Sequence, residues 1–207
     1  MINNDGIIKV FFSQCARPQG SLGRAMLCFM NYTHAPLTRW GLNLVDVQDG
    51  WTMLDIGCGG GFTIRRLLQR SKGAKVYGID ISEESVAKAQ KVNAAVLNQQ
   101  AFICQGSAEQ LPYDDDMFHL VTAVETVYFW PRLSHCLQEV HRVLKPGGKF
   151  AIMVEVVDSD SKWTNVVEGM TAYTPEDLKA LLDDAGFIHT EIHRKRPTYA
   201  TIIGVKA

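Results

Sequence analysis

The sequence predicts an α/β fold: an open, mostly parallel sheet of seven strands with an antiparallel last strand, helices on both faces and a helical lid at the N-terminus. Three observations carry this reading. From Trp51 onward, short apolar segments of strand length alternate with segments of helical apolar period, as crossover units require. A glycine-rich turn, Gly57-Cys-Gly-Gly-Gly61, follows the first strand directly. Two strand-like segments at the C-terminus lie close enough in sequence to pair antiparallel.

The elements follow in order. Arg17-Pro18-Gln19-Gly20 reads as a turn. Leu22, Ala25, Met26, Phe29 and Met30 then form one helical stripe, and a second helix is expected over Leu37 to Val45. Thr52 to Ile56 is the first strand, with Ile64, Leu67 and Leu68 on one face of the helix after the glycines. Lys75 to Ile79 is the second strand. Ser82 caps a helix that carries Glu83 and Glu84 in its first turn, where acids are favoured, and that runs to about Leu97. Ala101 to Cys104 and Phe118 to Val124 are the third and fourth strands. Pro131 opens a helix that Pro146-Gly147-Gly148 stops. Lys149 to Val156, Ile188 to Arg194 and Thr198 to Lys206 complete the sheet, with a helix from Pro175 to Gly186 between the fifth and sixth strands. Residues 1–50 are expected to form the lid of one domain and residues 51–207 its ligand-binding body.

The whole chain narrows the function classes. At 207 residues with 46% apolar content, it buries a core without a metal or disulfide staple. The net charge of -1 gives no field that calls for nucleic acid or an anionic membrane. The five cysteines are widely spaced, with no CxxC pair, which favours free thiols in a reduced compartment. No apolar run approaches membrane-spanning length, and the N-terminus lacks the pattern of a signal peptide. Cytoplasm is the expected location. The six histidines are scattered and Asp114-Asp115-Asp116 reads as a solvated turn, so no metal site is expected.

Parallel sheets bind ligands beyond the carboxyl ends of their strands. The glycines after Ile56 let the backbone turn sharply and approach a ligand. Asp80 lies 23 residues after Gly57, at the tip of the second strand, where an acid holds a ribose diol. The dinucleotide fingerprint would need glycine at position 62, which is Phe62. The pattern instead begins with Asp55. A carboxylate there repels a pyrophosphate and attracts an ammonium group.

Leu54-Asp-Ile-Gly-Cys-Gly-Gly-Gly61 resembles motif I of the class I S-adenosylmethionine-dependent methyltransferases. Gly78-Ile-Asp-Ile-Ser82 resembles their second motif. Gly106 to Phe118 is similar to the segment that passes the adenine, and Glu139 to Gly148 to the helix and turn before the fifth strand. The match spans roughly Trp51 to Val156. The resemblance implies a Rossmann-like sheet closed by an antiparallel hairpin, with S-adenosyl-L-methionine as cofactor and S-adenosyl-L-homocysteine as product. Asp55 would face the methionine amino group through the glycine loop. Gly57, Cys58 and Gly59 would line the methionine and ribose path. Asp80 would accept from the ribose hydroxyls, with Ile81 against the adenine and Ser107 and Ala108 at its edge. Glu125 would lie near the methionine end or the acceptor. Two positions depart from the family's common pattern: Ser107 and His119 stand where it often has Asp. An acceptor at Ser107 lacks charge assistance.

Methyl transfer needs alignment and exclusion of water more than a fixed catalytic motif, and a base only where the acceptor must lose a proton. His34 is a candidate base on the N-terminal lid, and Trp40 a candidate cover. Glu125 and Tyr128 are the other catalytic candidates. Tyr128, with Phe129 and Trp130, offers rings to a sulfonium or a flat acceptor. A small-molecule acceptor is expected, without nucleic acid or membrane, on a monomer or homodimer. Methylation of RNA or protein and a non-catalytic cofactor-binding module are the alternatives. The segment Glu125-Thr-Val-Tyr128 argues against amino methylation of a base, and Phe62 against a nicotinamide-dependent dehydrogenase.

Overall fold

The computed structural model describes residue 14 and residues 18–156, 170–195 and 198–207. Cys15 and Arg17, the first residue of the expected N-terminal turn, lie outside these residues. Seven strands form one sheet: β1 (Thr52–Ile56), β2 (Lys75–Asp80), β3 (Ala101–Gln105), β4 (Phe118–Val124), β5 (Leu144–Glu155), β6 (Phe187–Lys195) and β7 (Tyr199–Lys206). Their order is β3-β2-β1-β4-β5-β7-β6. The first five strands run parallel, and β7 runs antiparallel to both of its neighbours.

Alternation along the strands builds two apolar layers. Leu54, Ile56, Val121, Ala123, Phe150 and Ile152 face one side, where α5 (Leu133–Val143) and α6 (Pro175–Asp184) cover them. Met53, Val76, Leu120, Ala151 and Met153 face the other, under α2 (Ala35–Leu42), α3 (Phe62–Arg70) and α4 (Glu83–Val92). Strands with both faces covered read as continuous apolar runs, which is the pattern of β1, β4 and β5. The helix α1 (Gly20–Thr33) packs on α4 and α2. Its start is tied to the carboxyl end of β2 through Ser82, whose hydroxyl donates to Pro18 O at 2.7 Å and accepts from Ser85 N.

Four boundaries differ from the expected ones. The helix after Ser82 ends at Val92 because the buried Asn93 turns its amide onto Ala89 O and Gly61 O; a single 3₁₀ turn, Ala94–Val96, follows. The helix after the fourth strand begins at Leu133, not Pro131. Arg132 takes a left-handed conformation (φ 44°) and its guanidinium pairs with Glu109. β5 begins at Leu144, and Pro146-Gly147-Gly148 passes as an irregularity in its pairing with β4. The second N-terminal helix closes at Leu42, three residues before Val45.

The chain leaves β1 toward β2 on one side, and β4 pairs on the other. This reversal opens a crevice at the carboxyl ends of β1, β2 and β4.

Candidate functional site

The glycine loop is held from three directions. Gly57 turns the chain at φ 71°, and a Cβ on it would stand 2.2 Å from Thr126 Oγ1, so only glycine fits. Gly57 N and Cys58 N donate to Ile79 O at 2.8 and 3.1 Å. Gly59 N donates to Asp80 Oδ2 at 2.8 Å. Asn93 Nδ2 donates to Gly61 O at 3.0 Å. The second Asp80 oxygen accepts from Ser82 N at 2.9 Å. Burial raises the Asp80 carboxyl above its ordinary range, against the pull of these N–H donors. Each carboxylate oxygen keeps acceptor capacity after one such bond.

A pocket of about 700 Å³, its open mouth included, follows the crevice. On the β2–β3 side its wall is Ile81, Ser107 and Ala108; Asp80, Gly57 and Gly59 form the middle. Glu125 and Thr126 stand on the β4 side, and α1 contributes Leu27 and Met30. Ile81 is 42% exposed, a large apolar side chain left open at the cavity. The Ser107 hydroxyl accepts Glu109 N in its own turn.

The other candidates lie in two places. Asp55 is 2% exposed, beneath the loop, where Thr122 Oγ1 donates to its Oδ1 at 2.7 Å. Desolvation pushes its carboxyl up to about 7, and repulsion by Asp80 adds to this, while the Thr122 bond and the Arg66 charge oppose it. Cys58 and His34 line a second pocket of about 440 Å³ on the α3 side of the loop. Burial pushes the His34 imidazole down to about 4, so it is neutral at physiological pH. The wall ring is not Tyr128. That residue turns inward, 7% exposed, and Phe129 and Trp130 line the pocket in its stead. Trp40, on α2, packs against the core and does not line either pocket. Burial pushes the Glu125 carboxyl up to about 8. Among the described residues no three His, Cys, Asp or Glu side chains gather as metal ligands.

Sequence reasoning passed over Asn31, Arg66 and Asn93. Asn31 Nδ2 is buried without a hydrogen-bond partner, so close to the loop that a Cβ on Gly60 would stand 2.1 Å from it. Arg66 lines the same second pocket and lies over the Phe62 ring at 5.9 Å. A signal for Asn31 and His34 was present. Leu27, Met30, Asn31 and His34 follow the i, i+3, i+4, i+7 period, so one helical face carries both apolar and polar pocket residues. Asn93 gave no such signal.

The family model described as a methyltransferase domain matches residues 54–152. The uncharacterized methyltransferase sll0829 of Synechocystis is 36% identical over 160 residues, which cover 71% of this chain and 71% of that protein. Methyltransferase GfsG of Streptomyces halstedii is 33% identical over 173 residues, 77% of this chain but 62% of GfsG, so the chain spans less than two thirds of that relative. Among solved structures, a chain of the complex between the Haloferax volcanii Trm112 methyltransferase activator and a methyltransferase superposes with a TM-score of 0.76 at 23% identity, over 88% of this chain and 94% of that one. A SAM-dependent methyltransferase from Aquifex aeolicus gives 0.67 at 21% identity, over 82% and 89%. These two likenesses establish the fold. The similarity to sll0829 runs through most of both proteins, and the chain belongs to the S-adenosylmethionine-dependent methyltransferase family.

Proposed function

We propose that this protein transfers the methyl group of S-adenosylmethionine to a small-molecule acceptor bound at the β4 end of the larger pocket. The observation that carries this is the order of groups along the crevice: an exposed apolar side chain, Ile81, then the Asp80 carboxylate, then the glycine loop, then Glu125. That order suits an adenine, a ribose diol, a methionine chain and an acceptor in turn.

The residues fit the cofactor. Ile81 and Ala108 offer apolar contact for the base, and Asp80 offers acceptor oxygens for the two hydroxyls. The orphaned Asn31 Nδ2 and the Arg66 guanidinium supply donors for a carboxylate in the second pocket. The bound cofactor supplies an electrophilic methyl group on a positive sulfur. The chain's own work is to hold that group, exclude water with Leu27 and Met30, and align the acceptor. His34, neutral beside the loop, acts as a hydrogen-bonding side chain there. A pocket of this size suits a small ligand.

Calorimetric titration with S-adenosylmethionine tests the cofactor site. Ile81→Asp is the informative variant, because Ile81 is exposed and its loss leaves the core intact. We expect wild-type binding in the micromolar range, weakened at least about tenfold in Ile81→Asp with an unchanged melting temperature. Transfer of labelled methyl from the cofactor into a cell extract then tests the acceptor. Label in the fraction below about 1 kDa supports this reading, and label confined to RNA or protein overturns it.

A further inference from the structure

At the carboxyl ends of β4 and β5 two glutamates lie together. Glu125 is held at φ 56°, and its carboxyl accepts the backbone N–H of Glu155. The two carboxyls repel each other, and the groups that act on Glu125 include no cation among the described residues. Tyr128 closes the site from below. It is 7% exposed, its hydroxyl faces the Glu125 carboxyl, and that hydroxyl has no partner at normal hydrogen-bond geometry. Glu125 lines the larger pocket together with Thr126, Phe129 and Met30.

An enclosed carboxylate is costly unless a cation or several donors compensate it. Among the described residues the fold supplies one backbone N–H, the facing Tyr128 hydroxyl and no cation, and a ring stands in the same wall. An ammonium group satisfies all three features: it pairs with the carboxylate, donates several hydrogen bonds and is favoured over a ring face. The cofactor's own ammonium is the competing occupant, and the topology argues against it. In the order β1-β4-β5, Glu155 lies on the side of Glu125 away from the glycine loop. The acidic surface therefore extends toward the acceptor's entry and not toward the methionine chain.

We infer that the acceptor is an amine, captured as its ammonium ion, and that Glu125 binds it and receives its proton. This rests on the methyltransferase reading of the pocket. The ammonium gives one proton to the Glu125 carboxylate. The freed nitrogen lone pair then forms the N–C bond to the methyl group, while the pair of the breaking C–S bond stays on sulfur. The product leaves as the methylated ammonium ion beside a neutral thioether, and the proton on Glu125 passes to solvent. Tyr128 packs below the carboxyl and closes the site from the buried side.

The test uses two matched sets of probes: 2-phenylethylamine, 2-phenylethanol and phenylacetate, and hexylamine, hexanol and hexanoate. Their binding to the full chain saturated with S-adenosylhomocysteine is measured by calorimetry. We expect each amine to bind about tenfold or more tightly than its alcohol, with the carboxylate weakest. Glu125→Gln should erase that preference by more than it weakens S-adenosylhomocysteine. Glu155→Gln, at an exposed position, should reduce the preference about two- to fivefold. Amines that bind no better than their alcohols, or that do not bind, overturn the inference, as does a Glu125→Gln variant that loses cofactor affinity but keeps the preference. Failure of the wild type to bind S-adenosylhomocysteine is a separate result, and it overturns the pocket reading itself.

Discussion

Asp55 is a buried acid at the start of the glycine loop, and its cost to the free protein is a direct consequence of its burial. The carboxyl is raised from 3.8 to about 7, chiefly by desolvation. The folded chain therefore holds this proton more tightly than the unfolded chain. The stability this gives is complete below the unfolded value and is lost as pH rises toward 7. Glu125, raised to about 8, acts in the same direction over a window that ends higher. Asparagine at position 55 keeps an oxygen for the Thr122 hydroxyl and removes the titration. Asp55→Asn should thus melt close to wild type at pH 4.5 and be more stable at pH 8, by roughly 1–4 kcal/mol. If position 55 serves the cofactor's ammonium, the same variant should bind S-adenosylmethionine more weakly. A variant less stable than wild type at pH 8 would mean that the charged form is compensated in the free protein.

At the scale of elements, Ser82 joins two tasks that the sequence presented as one. Its fitness as a helix cap was legible from Ser82-Glu83-Glu84. Its donation to Pro18 O was not, because the partner lies 64 residues away. Ser82→Ala should remove the cap, worth about 1 kcal/mol, and leave the buried Pro18 carbonyl unpaired, adding roughly another 1 kcal/mol. The start of α1 should then be cut faster in limited proteolysis. Since Leu27 and Met30 of α1 line the pocket, affinity for S-adenosylmethionine should fall about three- to tenfold. Unchanged affinity with accelerated cleavage would separate α1 from the cofactor site. The elements misplaced by pattern share this physics. Val96 continues the apolar period of α4, yet Asn93 ends the helix by bonding backbone carbonyls. Side-chain competition of this kind has no periodic signal. Tyr128 likewise reads as a mouth residue from its position after β4. The 3₁₀ turn Val127–Phe129 rotates it into the core and presents Phe129 outward.

For the whole molecule, legibility followed the range of the interactions. The succession of strands and helices along the chain and the glycine–acid pair rest on local pattern and spacing, and both were readable. The second pocket joins α1, the loop and α3, three segments whose meeting depends on packing, so Arg66 emerged only in the fold and the helical-face signal of Asn31 took its meaning there. That distribution sets where ligand binding should be felt. The pocket draws on α1 and on the ends of β1, β2 and β4, whereas β6 and β7 lie at the far edge of the sheet. A ligand that binds only the folded state raises global stability everywhere, but it suppresses local opening only where its contacts lie. Under conditions where amides exchange by local opening, S-adenosylhomocysteine should therefore slow exchange in α1, in residues 57–61 and in residues 80–82 by about tenfold or more. Exchange in the β6–β7 hairpin should change little. Uniform protection of both regions would mean that exchange proceeds through global unfolding and that α1 is no more coupled to the site than the hairpin is. Protection of the loop without α1 would leave the N-terminal helix as packing alone, and the pocket would then be closed by the loop and β4 residues.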